Sequence, residues 1–170
     1  RRPGGAGGKQ GGTSIKQALT ALALALLLGL SACSGGKSTA PTAYDPAATS
    51  KALLDSGAFA QELEALDADM AAPYLGLSQE PEEAVVYTSL EGGYEELAVL
   101  SFADEAAAQT ALEEVQAHVA AQVETETETQ YKPEDLPKLQ SARTEQAGNT
   151  VLLVVAADYD KVQEALDGLN

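Results

Sequence analysis

Apolar and polar positions follow different periods along this chain, and each period predicts an element. An almost unbroken apolar run from Ala18 to Leu30 follows the basic Lys16 and leads into small residues. This is the order of the n-, h- and cleavage regions of a secretory signal. The run falls short of the roughly 20 residues that a transmembrane helix needs. Ser34 to Thr49 is rich in Ser, Gly, Thr, Ala and Pro, a composition that predicts a flexible tether stiffened at Pro41 and Pro46. Helical spacing begins at Ala52-Leu53-Leu54, and Phe59, Leu63, Leu66 and Met70 then recur at i, i+4, i+7 and i+11. Gly57 interrupts this face and Pro73 ends it. The pattern predicts one or two short helices between about 48 and 75, with a short strand near Phe59 to Leu63 as the alternative.

Two hairpins are written further on. Glu83 to Leu90 and Glu95 to Phe102 are rich in Val, Leu and Tyr, with Glu91-Gly92-Gly93-Tyr94 as the turn. Ala142 to Ala147 and Thr150 to Ala157 flank a turn at Gly148-Asn149, and Val151 to Ala157 is apolar on both faces, as a covered central strand would be. Asp104 caps a predicted helix to about Glu124, with Ala108, Ala111, Leu112, Val115, Val119 and Val123 as its apolar stripe. Glu124 to Gln130 reads as an exposed polar connection. Tyr131 to Leu139 holds a helical turn between Pro133 and Pro137, and Asp158 caps a last helix facing inward with Val162, Ala165, Leu166 and Leu169. Hairpin followed by helix occurs twice. The expected fold is therefore α+β: a four-stranded antiparallel sheet from two hairpins, with helices packed on one face.

Composition sharpens the picture. The chain has 170 residues, enough for one domain. It has no Trp and two Phe, so Leu, Val, Ala and a few Tyr must fill the core. Four of the ten basic residues (Arg1, Arg2, Lys9, Lys16) precede Ala18, and no acid precedes Asp45. A chain cut before Cys33 keeps six basic against 26 acidic residues, a formal charge of −20. Such a surface repels phosphate backbones, so nucleic acid is excluded as a partner. It also repels an anionic membrane, so charge does not hold the domain there.

Cys33 is the single cysteine, so no intrachain disulfide forms. Its setting explains it: Leu30-Ser31-Ala32-Cys33 directly follows the apolar run. These four residues resemble the lipobox of bacterial lipoproteins, in which the thiol takes diacylglycerol before cleavage. Two acyl chains at about 0.8 kcal/mol per buried CH₂ anchor stably, whereas one is marginal. The expected organisation is a signal peptide over 1–32, a lipid anchor and tether over 33–48, and one extracytoplasmic domain over 49–170. Residues 1–15 open on Arg and are Gly-rich, so an upstream extension or a fragment is expected there. Arg1-Arg2 lacks the apolar residues that follow a twin-arginine signal. Gly4-Gly5-Ala6-Gly7-Gly8-Lys9 lacks the spacing and hydroxyl of a phosphate loop.

Several segments carry a wider resemblance. They are the lipobox, Glu95-Glu96-Leu97-Ala98-Val99, the Ala-rich helix, Tyr131-Lys132-Pro133, Leu136-Pro137-Lys138-Leu139, and Gly148 to Val155. In this order they resemble a family of Gram-positive lipoproteins, the domain of unknown function 4358, over roughly Leu53 to Leu169. The resemblance implies a Gram-positive surface location and brings no activity or site residues with it.

Candidate chemistry is sparse. His118, the only histidine, falls at the edge of the apolar stripe with no nucleophile motif near it in sequence, and is read as a boundary residue. With Cys33 in the anchor, the domain has no thiol for catalysis or metal. Glu124, Glu126 and Glu128 would share one face of an extended strand and could offer oxygens to Ca²⁺, but the Gly-enabled turn of a calcium loop is missing. They are read as a solvated linker. Glu95-Glu96 and Glu113-Glu114 are too ordinary among 26 acids to signal glycoside chemistry. Of the tyrosines, Tyr131 beside Pro133 is the candidate ligand-binding residue. The expectation is a non-enzymatic binding or interaction module without cofactor or metal. The membrane through lipid on Cys33 is one partner, and a protein or small molecule is the other. The alternative is a cell-envelope hydrolase using carboxylates, and a third reading is an assembly factor with a broad apolar patch.

Overall fold

A computed structural model describes residues 42–169. The apolar run, Cys33 and the first part of the tether lie outside the described residues. Packing reaches back to Tyr44, within the segment whose composition reads as tether. Its ring is buried, its N–H donates to Thr150 Oγ1 at 2.8 Å and its hydroxyl donates to Glu145 Oε2 at 2.6 Å. Helix α1 (Pro46–Asp55) follows at once. Asp45 caps it by accepting from the Ala48 N–H, and Pro46 fills the first position, where no amide is needed.

After α1 the chain leaves the helix at Gly57, whose φ of +71° favours glycine. Strand β1 (Leu63–Leu66) then pairs antiparallel with β2 (Glu83–Ser89), Leu63 opposite Ser89. A single 3₁₀ turn and the short helix α2 (Ala71–Leu75) link the two. The hairpin partner of β2 is β3 (Glu96–Ser101), and helix α3 (Glu105–Thr129) comes next, capped by Asp104. Helix α4 (Leu136–Gln140), strands β4 (Arg143–Ala147) and β5 (Thr150–Val155), and helix α5 (Tyr159–Asp167) complete the fold. The sheet is antiparallel throughout, in the order β1-β2-β3-β5-β4.

The α+β class and both hairpins match the expectation, and three features correct it. First, the sheet has five strands rather than four. The i, i+4, i+7 spacing across Leu63 and Leu66 mimics a helix face, but the edge of β2 offers backbone partners. The Glu95 carboxylate also accepts the N–H groups of Ala60 and Gln61, which holds the approach to β1 out of a helix.

Second, helices cover both faces of the sheet, not one. Leu97, Val99, Leu152 and Val154 meet α1 and α5 on one side. Ala98, Leu100, Val151, Leu153 and Val155 meet α2, α3 and α4 on the other. The reason lies in β5, which is buried at every position, so alternating side chains need cover on both sides. Third, α3 runs on to Thr129 instead of ending near Glu124, and Gln130 closes it with a left-handed φ of 50°. No helix among the described residues is long and apolar enough to cross a membrane.

Candidate functional site

The start of β3 is the most unusual place in the domain, because Glu95 and Glu96 are both buried there. A buried carboxylate is costly unless it is paired and hydrogen-bonded. Each is met by a different set of partners, since successive side chains leave a strand on opposite faces. Glu95 Oε2 accepts from the Ala60 and Gln61 amides at 2.8 and 2.9 Å, while Oε1 pairs with Lys138 Nζ at 2.7 Å. The same ammonium reaches Asp135 Oδ1 at 2.7 Å. Asp135 Oδ2 accepts from Gln61 Nε2 and from the Tyr94 N–H. Burial alone would raise Asp135, but the bonds from Lys138, Tyr94 and Gln61 override it and hold its carboxyl below the usual range. Burial would lower Lys138, and its bonds to Asp135 and Glu95 raise it instead. Gly93 permits the crossing of the Gln61 side chain, since a Cβ there would stand 2.1 Å from Gln61 Oε1. This cluster ties the approach to β1, the start of β3 and α4 into one end of the molecule.

Glu96 faces α3. Its Oε2 accepts from the Tyr74 hydroxyl at 2.8 Å, and Oε1 lies 3.2 Å from His118 Nε2. Gln122 closes on the same ring nitrogen at 3.1 Å, and the Tyr74 ring tilts over the imidazole with centroids 5.2 Å apart. Burial, then the charge of Glu96, pushes the Tyr74 phenol up. His118 is thus at the edge of the stripe, as its position predicts, but it is bonded to a buried acid that lies 22 residues away in sequence. Its Nε2 engages a carboxylate and an amide, neither of which is an attacking hydroxyl or thiol. The arrangement joins β3, α2 and α3.

The segment after α3 is pinned by Glu126. In helical geometry Glu124 and Glu128 face solvent while Glu126 is buried, so the three do not share a face as an extended strand would have it. Glu126 Oε1 accepts the Lys132 N–H at 2.9 Å. The half-buried Tyr94 phenol is raised by burial and then by Glu126. Among the described residues, no group of three or more His, Cys, Asp or Glu is placed to hold a metal. Tyr131 is 68% exposed, with its hydroxyl near Gly92, and joins neither cluster.

A groove opens on the far side of α3, between that helix, α4 and β4. It is an open space of about 390 Å³ lined by Val119, Ala120, Val123, Leu139 and Ala142, with Gln116, Gln140 and Thr144 as its polar lining. Neither His118 nor Tyr131 lines it. Val119 and Val123 belong to the apolar stripe of α3 and Ala120 extends it sideways, which is the signal that the sequence carries for this surface. The residues opposite them come from α4 and β4, about twenty residues further on and across the loop that closes α3, so no local pattern marks the groove.

Fold and geometry together define a small helix-sheet-helix α+β domain with tied internal acids and an apolar groove beside α3. The chain belongs to the family described as Domain of unknown function (DUF4358), whose model matches residues 56–156. No curated protein and no solved structure matches it.

Proposed function

We propose that this chain is a lipoprotein held by diacylglycerol on Cys33 at the extracytoplasmic face of a Gram-positive membrane, where its domain binds a partner without catalysing a reaction. The observation that carries this reading is Leu30-Ser31-Ala32-Cys33 directly after an apolar run that is too short to span a bilayer. Engagement of the buried acids supports the non-enzymatic part. A carboxylate hydrolase needs two acids facing across a cleft, with one pKa raised. Here Glu95 and Asp135 share Lys138, and Asp135 is lowered.

The test is incorporation of an alkyne-tagged fatty acid into the full chain, with fractionation of the cells. Wild type is expected to carry label and to stay with membranes until detergent is added. Cys33→Ala is expected to carry none. Equal labelling of the two would overturn the anchor, and a turnover abolished by Glu96→Gln would overturn the non-enzymatic reading.

A further inference from the structure

We propose that the groove between α3, α4 and β4 docks a cationic amphipathic helix of a partner protein, which rests on the reading of this chain as an anchored binding module. The floor of the groove is apolar: Val119, Ala120, Val123, Leu139 and Ala142 face a space of about 390 Å³, within the range of specific ligand pockets, roughly 300–1,000 Å³. Helix α3 forms one wall and α4 with the start of β4 the other, so a further helix can lay an i, i+3, i+4 row of apolar side chains between them.

Charge selects the kind of helix. By helical spacing, Glu113 lies one turn before Gln116 and Glu124 one turn after Ala120, and both are exposed. The positive charges of the domain are engaged elsewhere. Lys138 is committed to Glu95 and Asp135, Lys132 donates to the Glu91 carbonyl, and Lys51 and Lys161 pair with Asp55 and Asp158. Arg143 adjoins the groove in sequence but binds Glu145 and Gln163 on the other face of the sheet. An occupant with Lys or Arg flanking its apolar row therefore meets acids, and an acidic one is repelled.

The experiment uses the full lipidated chain in neutral phosphatidylcholine vesicles, with empty vesicles as blank. The probe is a synthetic Leu/Lys amphipathic peptide of about 14 residues, roughly four helical turns. A Leu/Glu version and a scrambled Leu/Lys version are the controls. The Leu/Lys peptide is expected to bind, and the two controls are not. Ala120→Arg, at an exposed helix position, is expected to weaken binding about tenfold, equivalent to about 1.4 kcal/mol. Glu113→Gln with Glu124→Gln should weaken it a few-fold at low salt and flatten its salt dependence.

Absence of Leu/Lys binding, equal binding of either control, or indifference to Ala120→Arg would overturn the proposal. So would a concentration-dependent dimer that Ala120→Arg abolishes, since that makes a second copy the occupant. Displacement of the peptide by a neutral long-chain alcohol, with affinity independent of salt, would make a small apolar ligand the occupant and overturn it too. Failure with Cys33-dependent membrane retention intact removes the groove alone. Loss of that dependence removes the reading beneath it.

Discussion

Lys138 stands between two buried carboxylates, and its removal leaves them facing each other without a cation. Breaking such a pair from one side costs about 3–5 kcal/mol, because the remaining charge stays buried. Lys138→Met is therefore expected to lower the urea midpoint strongly at pH 7. The pH dependence follows from the directions of the shifts. Asp135 is held below its ordinary 3.8, so its contribution is present above that value and lost as pH falls through the lowered one. Lys138 is held above 10.5, so its contribution is present below that value and lost as pH rises through the raised one. In Lys138→Met, Asp135 loses a bond that offset its burial, so the gap from wild type should narrow between pH 7 and pH 4. A gap that stays constant on acidification would show that Lys138 acts by packing alone. None of this cluster is legible locally: Gln61, Glu95 and Asp135 are unremarkable polar residues until the fold brings them together. His118 shows the same limit, since its edge position is readable and its bond to Glu96 is not.

The length of α3 is set by a contact rather than by propensity. Glu124 to Thr129 alternates with β-branched Thr, which disfavours helix and reads as a solvated connection. The buried Glu126 carboxylate overrides this by accepting the Lys132 amide, so the last turn and the following loop close on each other. Glu126→Ala should leave α3 intact through Val123 and expose the amides of residues 126–132 to faster hydrogen exchange. Its cost is about 1–3 kcal/mol, the penalty of an unmet buried donor. Glu126→Gln keeps an acceptor for Lys132 and should preserve most of the protection. Equal exchange in wild type and Glu126→Ala would show that the turn holds itself. Elements whose partners are close in sequence were readable: both hairpins, the Asp104 and Asp158 caps, and the two-sided apolar pattern of β5. Strand β1 was readable only as the alternative near Phe59 to Leu63 and lies a few residues later, because its four residues take their partner from the edge of β2, about twenty residues on. That same two-sided pattern of β5 required cover on both faces, which a one-sided helical layer does not supply.

At the scale of the whole molecule, two apolar layers enclose a sheet inside a strongly negative surface. With six basic against 26 acidic residues after Cys33, the charges mainly repel one another, and compaction brings them closer. The exposed pairs Lys51–Asp55 and Lys161–Asp158 contribute little, so screening them costs little. Repulsion across the surface is screened at the same time, over a Debye length of about 10 Å at 0.1 M salt. Sodium chloride is therefore expected to stabilise the full chain in non-ionic detergent. A gain of 1–2 kcal/mol corresponds to a midpoint rise of about 3–8 °C for a domain of this size. Thermal scans at low and half-molar salt measure it, and a falling midpoint would mean that the ion pairs outweigh the repulsion. The same salt should act in the opposite sense on the groove. There it screens attraction between Glu113, Glu124 and a basic helix, so peptide binding weakens while the fold grows more stable. Opposite signs from one titration separate a loss of binding caused by screening from one caused by unfolding.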